Sequence, residues 1–386
     1  MLNWITIRGF KSIRNLEHFL LRPINVLIGG NGAGKSNFID FFKMLRAMQG
    51  LEVAELRTNT PSLSAFLLNR GGIQNCLYAG TPPSTEVGGE LLFGNNGYAF
   101  QLGLTAAGSH VINKEGFYCS PSATTSSNNV TWTNGGYTES AVRMRAESTS
   151  RPVRELFILR AIESWQIYQF HDTSQFAGMR QPSKAYDRAS LRFDASNLAA
   201  FLYHLKTDRM PRLPRKDNYS AYQEIVQTIQ MIAPYFEDFV LQPYKEGEEE
   251  KIKLEWKQKG SLLTMQPYHL SDGTLRFICL ATVLLQPSPP ELLIIDEPEL
   301  GLHPEAIEVL AELIRLHSKE TQFILATQSP TFTDFFQPED IVTVNRVNGE
   351  TQLEHLDLPS LQQWLTEYSV GQLWQKNVIA GGPRHE

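Results

Sequence analysis

The residues best suited to chemistry in this sequence form a glycine-rich octapeptide that ends in Lys-Ser. Gly29–Ser36 reads GGNGAGKS and matches GxxxxGKS, a pattern that brings backbone N–H groups close to phosphate oxygens. Glycine suits the loop because a side chain would hold the backbone away from the anion. The ammonium of Lys35 is expected on the β and γ phosphates, and the hydroxyl of Ser36 on Mg²⁺. A tight turn with a surface lysine is the alternative, but motif and context together predict a nucleoside triphosphate site.

The residues predicted to bind the nucleotide are Gly29, Gly30, Asn31, Gly32, Ala33, Gly34, Lys35, Ser36 and Asn37.

Two adjacent carboxylates supply the second half of the expected chemistry. Leu292–Ile295 is an apolar run that is typical of a buried strand, and Asp296 and Glu297 follow it directly. Strands of this kind deliver their last residues to the sheet edge where ligands of open α/β folds bind. Asp296 is expected to hold Mg²⁺ through water, and Glu297 to orient and deprotonate the attacking water, a contribution of about 10²–10⁴-fold in rate. The alternative is that Glu297 only caps the segment that begins at Pro298.

Hydrophobic patterns predict the elements that position these motifs. Ile24–Ile28 reads as a buried strand, and apolar residues at helical spacing follow the octapeptide, which therefore lies between a strand and a helix. From Leu270 onward helices alternate with strands at 292–295 and 323–326, which favours a mostly parallel sheet with helices on its faces. The remaining predicted elements are a hairpin over 86–104, a polar loop or irregular β insertion over 118–150, amphipathic helices over 197–205 and 219–232, and a charged turn over 245–251 joining two strands.

The same patterns divide the chain into three predicted regions. Residues 1–115 carry the octapeptide and a β subdomain, residues 116–235 form an inserted irregular arm and helical region, and residues 236–386 carry the later motifs and a C-terminal tail.

One segment of the last region resembles a superfamily signature. Leu270–Arg276 reads LSDGTLR and resembles the LSxGxxR signature of ABC-type ATPases, one helix before the strand that ends in Asp296. Taken alone, Ser271 would be an ordinary helix N-cap. The resemblance implies that Ser271 and Gly273 bind the γ-phosphate held by a second subunit, so that ATP joins two copies into a homodimer or higher oligomer.

Finer resemblances point to RecF-like and SMC-like heads. Ile7–Ile13 looks like their opening strand, Glu299–Pro304 resembles their D-loop, and Ala326–Pro330 stands at their switch position. Many relatives carry histidine at the switch, whereas this chain has Gln328, which can hydrogen-bond a γ-phosphate but cannot act as a cation. This departure from the family pattern implies slow hydrolysis, and the predicted catalytic residues are Glu297, Lys35 and Gln328. Either Gln169 or Gln175 could serve as the nucleotide-sensing glutamine.

The whole chain is similar to stand-alone bacterial RecF-like ATPases of the AAA_21 type. The stretches that carry this similarity are 170–174, 196–199, 271–277 and 364–382. It implies an α/β fold, a P-loop ABC-type ATPase head with a mostly parallel core sheet, an antiparallel β subdomain and an inserted helical or arm region. The cofactors implied are ATP and Mg²⁺.

The leading functional hypothesis is an ATP-driven dimerising switch that is associated with DNA in repair or phage defence. A separate effector, such as a nuclease or toxin encoded nearby, would supply further activity. The alternatives are a nucleotide-gated scaffold that does not hydrolyse ATP, and the ATPase subunit of an ABC transporter. The basic residues that could grip DNA, or form a solvated surface instead, are Arg143, Arg145, Arg151, Arg154, Lys206, Arg209, Arg212, Arg215 and Lys216.

Composition narrows the class of protein. The 35 basic and 41 acidic side chains give a net charge of −6, which argues against a wholly basic nucleic-acid coat protein. The three cysteines stand far apart and indicate no disulfide framework. No apolar run reaches the roughly 18 residues of a membrane span, and no signal peptide is recognised. We therefore expect a cytoplasmic protein with no membrane partner.

Overall fold

The computed structural model describes residues 1–51, 62–80, 83–120, 130–133, 135–142, 153–209 and 217–379. Its strands, in chain order, are β1 (Trp4–Phe10), β2 (Ile13–Leu20), β3 (Ile24–Ile28), β4 (Glu86–Phe93), β5 (Asn96–Leu104), β6 (His110–Cys119), β7 (Thr131–Thr133), β8 (Gln166–Tyr168), β9 (Ser183–Lys184), β10 (Phe236–Val240), β11 (Pro243–Glu246), β12 (Glu249–Ile252), β13 (Glu255–Gln258), β14 (Thr264–Met265), β15 (Leu292–Asp296), β16 (Gln322–Thr327), β17 (Ile341–Val347) and β18 (Glu350–His355).

The α-helices, in chain order, are α1 (Lys35–Met48), α2 (Leu63–Asn69), α3 (Val153–Ser164), α4 (Leu198–Thr207), α5 (Asn218–Ile232), α6 (Asp272–Leu285), α7 (Pro304–His317), α8 (Pro330–Thr333), α9 (Leu358–Leu361) and α10 (Val370–Gln375).

The chain divides into two compact units that interleave along the sequence. The first unit comprises Met1–Ile167, Glu291–Ile295 and Thr321–Glu386, and the second comprises Tyr168–Pro290 and Asp296–Glu320. The division into 1–115, 116–235 and 236–386 stays a prediction.

The first unit contains two six-stranded sheets. One is antiparallel, with the order β2-β1-β4-β5-β6-β7. The other has the order β18-β17-β3-β16-β15-β8, in which β3 pairs in parallel with both β16 and β17 and β18 runs antiparallel at the edge. The α/β class predicted from the sequence is confirmed.

Helix α1 starts directly after the octapeptide and belongs to the hydrophobic core of the first unit. Phe38, Phe41 and Phe42 lie on its buried side at the spacing of successive helical turns. Buried residues of both sheets belong to the same core cluster, for example Ile7 of β1 and Leu27 of β3. All five residues of β3 are buried, as expected for a parallel strand covered on both faces.

The second unit is built from helices α4 to α7 and two three-stranded sheets, β10-β13-β14 and β11-β12-β9. The predicted helices over 197–205 and 219–232 correspond to α4 and α5. The charged turn over 245–251 closes the β11–β12 hairpin, but the two strands predicted there are four short ones. β12 pairs with β11 and β9, whereas β13 pairs with β10 and β14. The chain therefore passes from one sheet to the other between Ile252 and Glu255.

The remaining predictions fare unevenly. The hairpin over 86–104 is confirmed as β4 and β5, which pair from Glu86 with Gly103 to Phe93 with Asn96. Within 118–150, the structure describes the short strand β7, whereas 121–129 and 143–150 lie outside the described residues. Among the helices that the structure describes, none combines the length and apolar character needed to cross a membrane.

Candidate nucleotide-binding site

The predicted phosphate loop joins β3 to α1, and its lysine is buried. Lys35 is only 6% exposed, and its Nζ donates to the carbonyl oxygens of Gly29 at 2.5 Å and Gly30 at 3.3 Å. The loop therefore holds the ammonium group with its own backbone. Ser36 is exposed at the start of α1.

Two glycines of the loop are required by the β17–β18 hairpin behind it. A Cβ on Gly29 would lie 2.4 Å from the carbonyl oxygen of Val344, and a Cβ on Gly34 would lie 2.0 Å from Oγ1 of Thr351. Gly34 also has φ +113°, a conformation that side chains disfavour. Gly32 has φ +77° and no atom near the position of a Cβ, so only its backbone conformation requires glycine. Close packing and backbone geometry thus require glycine at these positions. The loop backbone is therefore not covered by side chains, which phosphate binding to its N–H groups needs.

Gln328, at the predicted switch position, follows a strand that pairs with β3. In the parallel ladder Thr327 lies opposite Ile28, so Gln328 and Gly29 each follow directly on paired residues. The side chain of Gln328 is exposed. Ser329 then caps α8, with its hydroxyl accepting from the N–H of Phe332 at 3.1 Å. Within the first unit, the fold therefore brings the phosphate loop and the switch residue to the same edge of one sheet.

Asp296 is the last residue of β15, the strand next to β16 in the sheet order, and Glu297 follows it directly. Leu292–Ile295 is buried, whereas Asp296 and Glu297 are half-buried. Glu297 has φ +50°, which is uncommon for a residue with a side chain and turns the chain sharply after the strand. Within the second unit, the carbonyl oxygen of Asp296 lies 3.3 Å from Nε2 of His171.

The predicted signature residues begin α6 in the second unit. The hydroxyl of Ser271 accepts from the N–H of Thr274 at 3.1 Å, so Ser271 is the N-cap of the helix, and it is exposed. A Cβ on Gly273 would lie 2.4 Å from the carbonyl oxygen of Gly301. The glycine therefore lets the segment resembling the D-loop pack against the first turn of α6.

A cavity of about 250 Å³ opens beside this helix N-terminus. Exposed backbone N–H groups and the helix dipole favour an anion at such a place. The residues lining the cavity are Ile232, Ser271, Gly273, Thr274, Gly301, His303, Glu305 and Ala306.

Two arginines of the second unit support the signature, and sequence reasoning assigned them no role. Arg276 donates to the carbonyl oxygens of Phe170, His171 and Leu300 at 2.7–2.8 Å. Arg180 is paired with Asp272 at 2.7 Å and also donates to the carbonyl oxygen of Leu270 at 3.3 Å. Neither set of contacts could be predicted from residue spacing, because the partners come from segments that are far apart in the sequence.

The two candidates for the nucleotide-sensing glutamine differ in their surroundings. The Gln169 amide lies 3.4 Å from Nδ1 of His171, and Gln175 is exposed with its carbonyl accepting from Nε2 of Gln181 at 2.7 Å.

Of the described residues, no three His, Cys, Asp or Glu side chains form a cluster that could hold a metal ion. A Mg²⁺ site built from one hydroxyl, one carboxylate, phosphate oxygens and water needs no such cluster.

An ionic cluster stands one helical turn beyond the phosphate loop, around Asp40 of α1. Its carboxylate pairs with Lys11 and also lies 3.5 Å from Nζ of Lys43 and 3.2 Å from Nη2 of Arg70. Burial would raise the pKa of Asp40, but these three cations outweigh it and lower the pKa below its ordinary value. The cluster fastens the β1–β2 turn and α2 to α1.

Most of the predicted DNA-binding arginines and lysines lie outside the described residues, namely Arg143, Arg145, Arg151, Arg212, Arg215 and Lys216. Of the others, Arg154 is exposed, and Lys206 donates to Oδ2 of Asp238 at 2.8 Å and to the carbonyl oxygen of Phe239. The guanidinium of Arg209 lies 4.4 Å from the ring centre of Tyr219.

Comparison with solved structures reveals the same fold in SMC heads. The structure of an Smc head bound to the C-winged helix domain of ScpA matches with a TM-score of 0.57 and 15% identity over 94% of this chain and 99% of that one. A second Smc head, with an extended coiled coil and bound to the C-terminal domain of ScpA from Pyrococcus furiosus, matches with a TM-score of 0.56 and 15% identity over 95% and 98%. No curated protein sequence matches significantly.

The chain therefore has the fold of an SMC head, in agreement with the resemblance seen in the motifs. The chain belongs to the AAA_21 family, described as "AAA domain, putative AbiEii toxin, Type IV TA system", whose profile matches residues 24–334.

Proposed function

We propose that this protein binds and slowly hydrolyses Mg²⁺·ATP, and that ATP joins two copies head to head. The proposal depends on the buried Lys35, whose ammonium group contacts backbone carbonyl oxygens of its own loop. Gly29, Gly32 and Gly34 leave the backbone of this loop without side chains. A cation surrounded by backbone groups in this way suits a polyphosphate. Membership of an ATPase family supports the same conclusion.

Each motif residue has a definite role in this proposal. Lys35 contacts the β and γ phosphates, while Ser36 and Asp296 hold Mg²⁺, which neutralises charge on the phosphate oxygens. Glu297 orients the attacking water and accepts its proton. Gln328 donates its amide N–H to the γ-phosphate without adding a charge.

Two substitutions test the hydrolytic assignment. Glu297→Gln keeps the shape of the side chain, so Mg²⁺·ATP binding should persist while phosphate release falls by about 10²-fold or more. Lys35→Ala should weaken nucleotide binding itself. Calorimetric titration and steady-state phosphate release separate the two effects, and Glu308→Gln, an exposed change on α7, is the control. Wild-type turnover by Glu297→Gln would overturn the catalytic assignment.

A specific observation favours a second candidate, a nucleotide-gated scaffold. The switch position carries the neutral Gln328, which is exposed directly after β16. A cation at this position would stabilise the negative charge that develops on the γ-phosphate during hydrolysis, and glutamine adds no such charge. The wild-type protein could bind Mg²⁺·ATP and assemble into a species of higher mass, yet release no phosphate over many hours. That result would favour the scaffold hypothesis over the ATPase hypothesis.

We also propose that the assembled heads act with DNA and with a separate effector protein such as a nuclease or toxin. The family description names a type IV toxin–antitoxin system, and the similar SMC heads are bound to domains of ScpA, so a protein partner is in keeping with both. Arg154 is exposed and could contact phosphate, whereas Lys206 is paired with Asp238.

A salt titration of duplex binding tests the DNA component. Phosphate contacts predict affinity that falls steeply with added salt and shows little base preference. Arg212→Glu with Arg215→Glu should weaken binding uniformly across sequences, while Lys319→Glu, a charge reversal at an exposed position just after α7, serves as the control. Equal affinity and equal salt slope for the double variant would remove these two arginines from the interface. If the wild type binds no duplex at low salt, a protein partner alone remains.

A further inference from the structure

Three side chains behind the phosphate loop form a hydrogen-bonded series that ends on the loop itself. Nδ2 of Asn37 lies 2.6 Å from Oγ of Ser12, which lies 2.7 Å from Oγ1 of Thr351. Oγ1 of Thr351 lies 2.8 Å from the carbonyl oxygen of Ala33, the residue before Gly34. Ser12 is 7% exposed and Thr351 is 3% exposed, so solvent has little access to replace these bonds.

The direction of every bond in the series follows from its last member. A carbonyl oxygen only accepts, so the single hydroxyl hydrogen of Thr351 must be donated to Ala33. Oγ1 of Thr351 can then only accept from Ser12, and Ser12, having donated its hydrogen, accepts from the amide of Asn37. All three bonds run the same way, and bonds aligned in this manner strengthen one another.

The members of the series are held by different parts of the first unit. Ser12 lies in the β1–β2 turn, Thr351 on β18 and Asn37 in the first turn of α1. The backbone N–H of Thr351 also donates to the carbonyl oxygen of Ser12 at 2.7 Å, which locks the strand to the turn. Lys11 pairs with Asp40 one helical turn further along α1, so the turn is fastened to the helix at two points.

The bond to Ala33 controls the orientation of a donor in the loop. In a planar trans peptide, the carbonyl of one residue and the N–H of the next point in opposite directions. Because the carbonyl of Ala33 points to Thr351, the N–H of Gly34 points away from it. A phosphate-binding loop needs its N–H groups turned toward the anion.

We propose that Thr351 is a positioning residue for the phosphate loop, and that Ser12 and Asn37 act on the nucleotide through it. The inference rests on the nucleotide function proposed above. Thr351 holds the peptide between Ala33 and Gly34 in the orientation that presents the Gly34 N–H to phosphate. Without the hydroxyl, this peptide can rotate, and the loop loses one donor to the anion.

Calorimetric titration of the protein with Mg²⁺·ADP tests the proposal without interference from hydrolysis. Thr351→Val removes the hydroxyl at constant shape and should weaken binding about tenfold, since a buried acceptor loses its partner. Thr351→Ser keeps the hydroxyl and should stay within about twofold of wild type. Equal affinity for Thr351→Val and wild type would overturn the inference.

The matched control is Thr343→Val on the same hairpin. Thr343 is also 3% exposed, but its hydroxyl donates to the carbonyl oxygen of Glu354 at 3.2 Å, within the hairpin. Both valine variants should lower the thermal midpoint of the nucleotide-free protein to a similar extent, whereas only Thr351→Val should weaken Mg²⁺·ADP binding. Equal weakening by both variants would indicate general loss of stability and contradict the assignment.

A second substitution keeps the test independent of how well Thr351→Val folds. Ser12→Ala breaks the series one step earlier and should weaken Mg²⁺·ADP binding by about threefold on its own, but should cause little further loss when it is added to Thr351→Val. Fully additive losses, or wild-type affinity for Ser12→Ala, would contradict a series that acts as a unit. If wild-type protein itself does not bind Mg²⁺·ADP, the nucleotide function fails first and the inference falls with it.

Discussion

Nη1 of Arg276 donates a hydrogen bond of 2.7 Å to the carbonyl oxygen of Leu300, which ties α6 to the segment that resembles the D-loop. Nε of the same guanidinium donates to the carbonyl oxygen of Phe170 at 2.8 Å, and Nη2 donates to the carbonyl oxygen of His171 at 2.7 Å. One planar group thus links α6 to two other backbone segments of the second unit. Lysine cannot reproduce this geometry, because its ammonium is a point charge on a flexible stem.

We therefore expect Arg276→Lys to be destabilising even though the charge is kept. Loss of two of the three bonds leaves carbonyl oxygens without a partner and should lower the free energy of unfolding by roughly 1–3 kcal/mol. Urea denaturation measures the change, with Arg188→Lys at an exposed position as the control. An unfolding free energy equal to that of wild type would show that the fork contributes nothing beyond its charge.

Ser271→Arg tests whether the signature acts across two subunits. Ser271 is exposed at the start of α6, so the fold can accommodate a long cationic side chain there at the cost of the N-cap bond, about 0.5–2 kcal/mol, and this side chain should block a partner's γ-phosphate. We expect ATP-dependent dimerisation to be lost while Mg²⁺·ADP binding at the Lys35 loop is retained. Light scattering with ATP and with ADP provides the masses, and Ser318→Arg after α7 serves as the control. Dimerisation of Ser271→Arg to the wild-type extent would contradict a composite site.

Gln328→His tests the explanation for slow turnover. A histidine at this position can donate a hydrogen bond from a ring N–H, and in its protonated form it adds a positive charge that stabilises the negative charge developing on the phosphate. Steady-state phosphate release should rise on the order of tenfold. Gln328→Ala should reduce phosphate release instead, and Mg²⁺·ADP affinity should remain unchanged in both variants. Unchanged turnover in both variants would leave Gln328 without a part in hydrolysis.

Glu115 should make the stability of the first unit depend on pH. It is 1% exposed and accepts hydrogen bonds from Tyr98 at 2.6 Å, Ser140 at 2.6 Å and Ala141 at 2.9 Å. Burial raises the pKa of this carboxyl, and these donors offset only part of the effect. A raised pKa in the folded state means that the folded protein binds the proton more tightly than the unfolded chain does.

The free energy of unfolding should consequently fall as the pH rises from about 4.5 through the raised pKa of Glu115. Glu115→Gln should lack that part of the slope, whereas Glu354→Gln, at an exposed position in the same unit, should retain it. Urea denaturation at several pH values compares the three proteins. Parallel pH profiles for wild type and Glu115→Gln would assign the slope to other groups. The opposite shift of Asp40 affects stability only below about pH 3.8, outside this range.

Local sequence patterns predicted the elements that are contiguous in the chain. The strand over Ile24–Ile28, the loop and the start of α1 follow one another directly, so alternation of apolar, glycine and helical residues identifies them. The β4–β5 hairpin was predictable for the same reason, since Gly94 and Asn95 form a turn between two alternating strands. The four-strand arrangement over 243–265 was not, because the choice of sheet depends on distant partners such as Ser183.

The sequence by itself determined which residues make up the candidate site, namely a glycine loop with Lys35 and Ser36, carboxylates after an apolar strand, and a neutral Gln328. Those features depend on neighbouring residues, and neighbours are what local propensity and periodicity report. Only the tertiary structure decided that Thr351, 318 residues from Ala33, holds the loop from behind, and that Thr327 lies opposite Ile28. Such contacts are selected by the packing of the whole unit, in which strand register and side-chain fit are satisfied together.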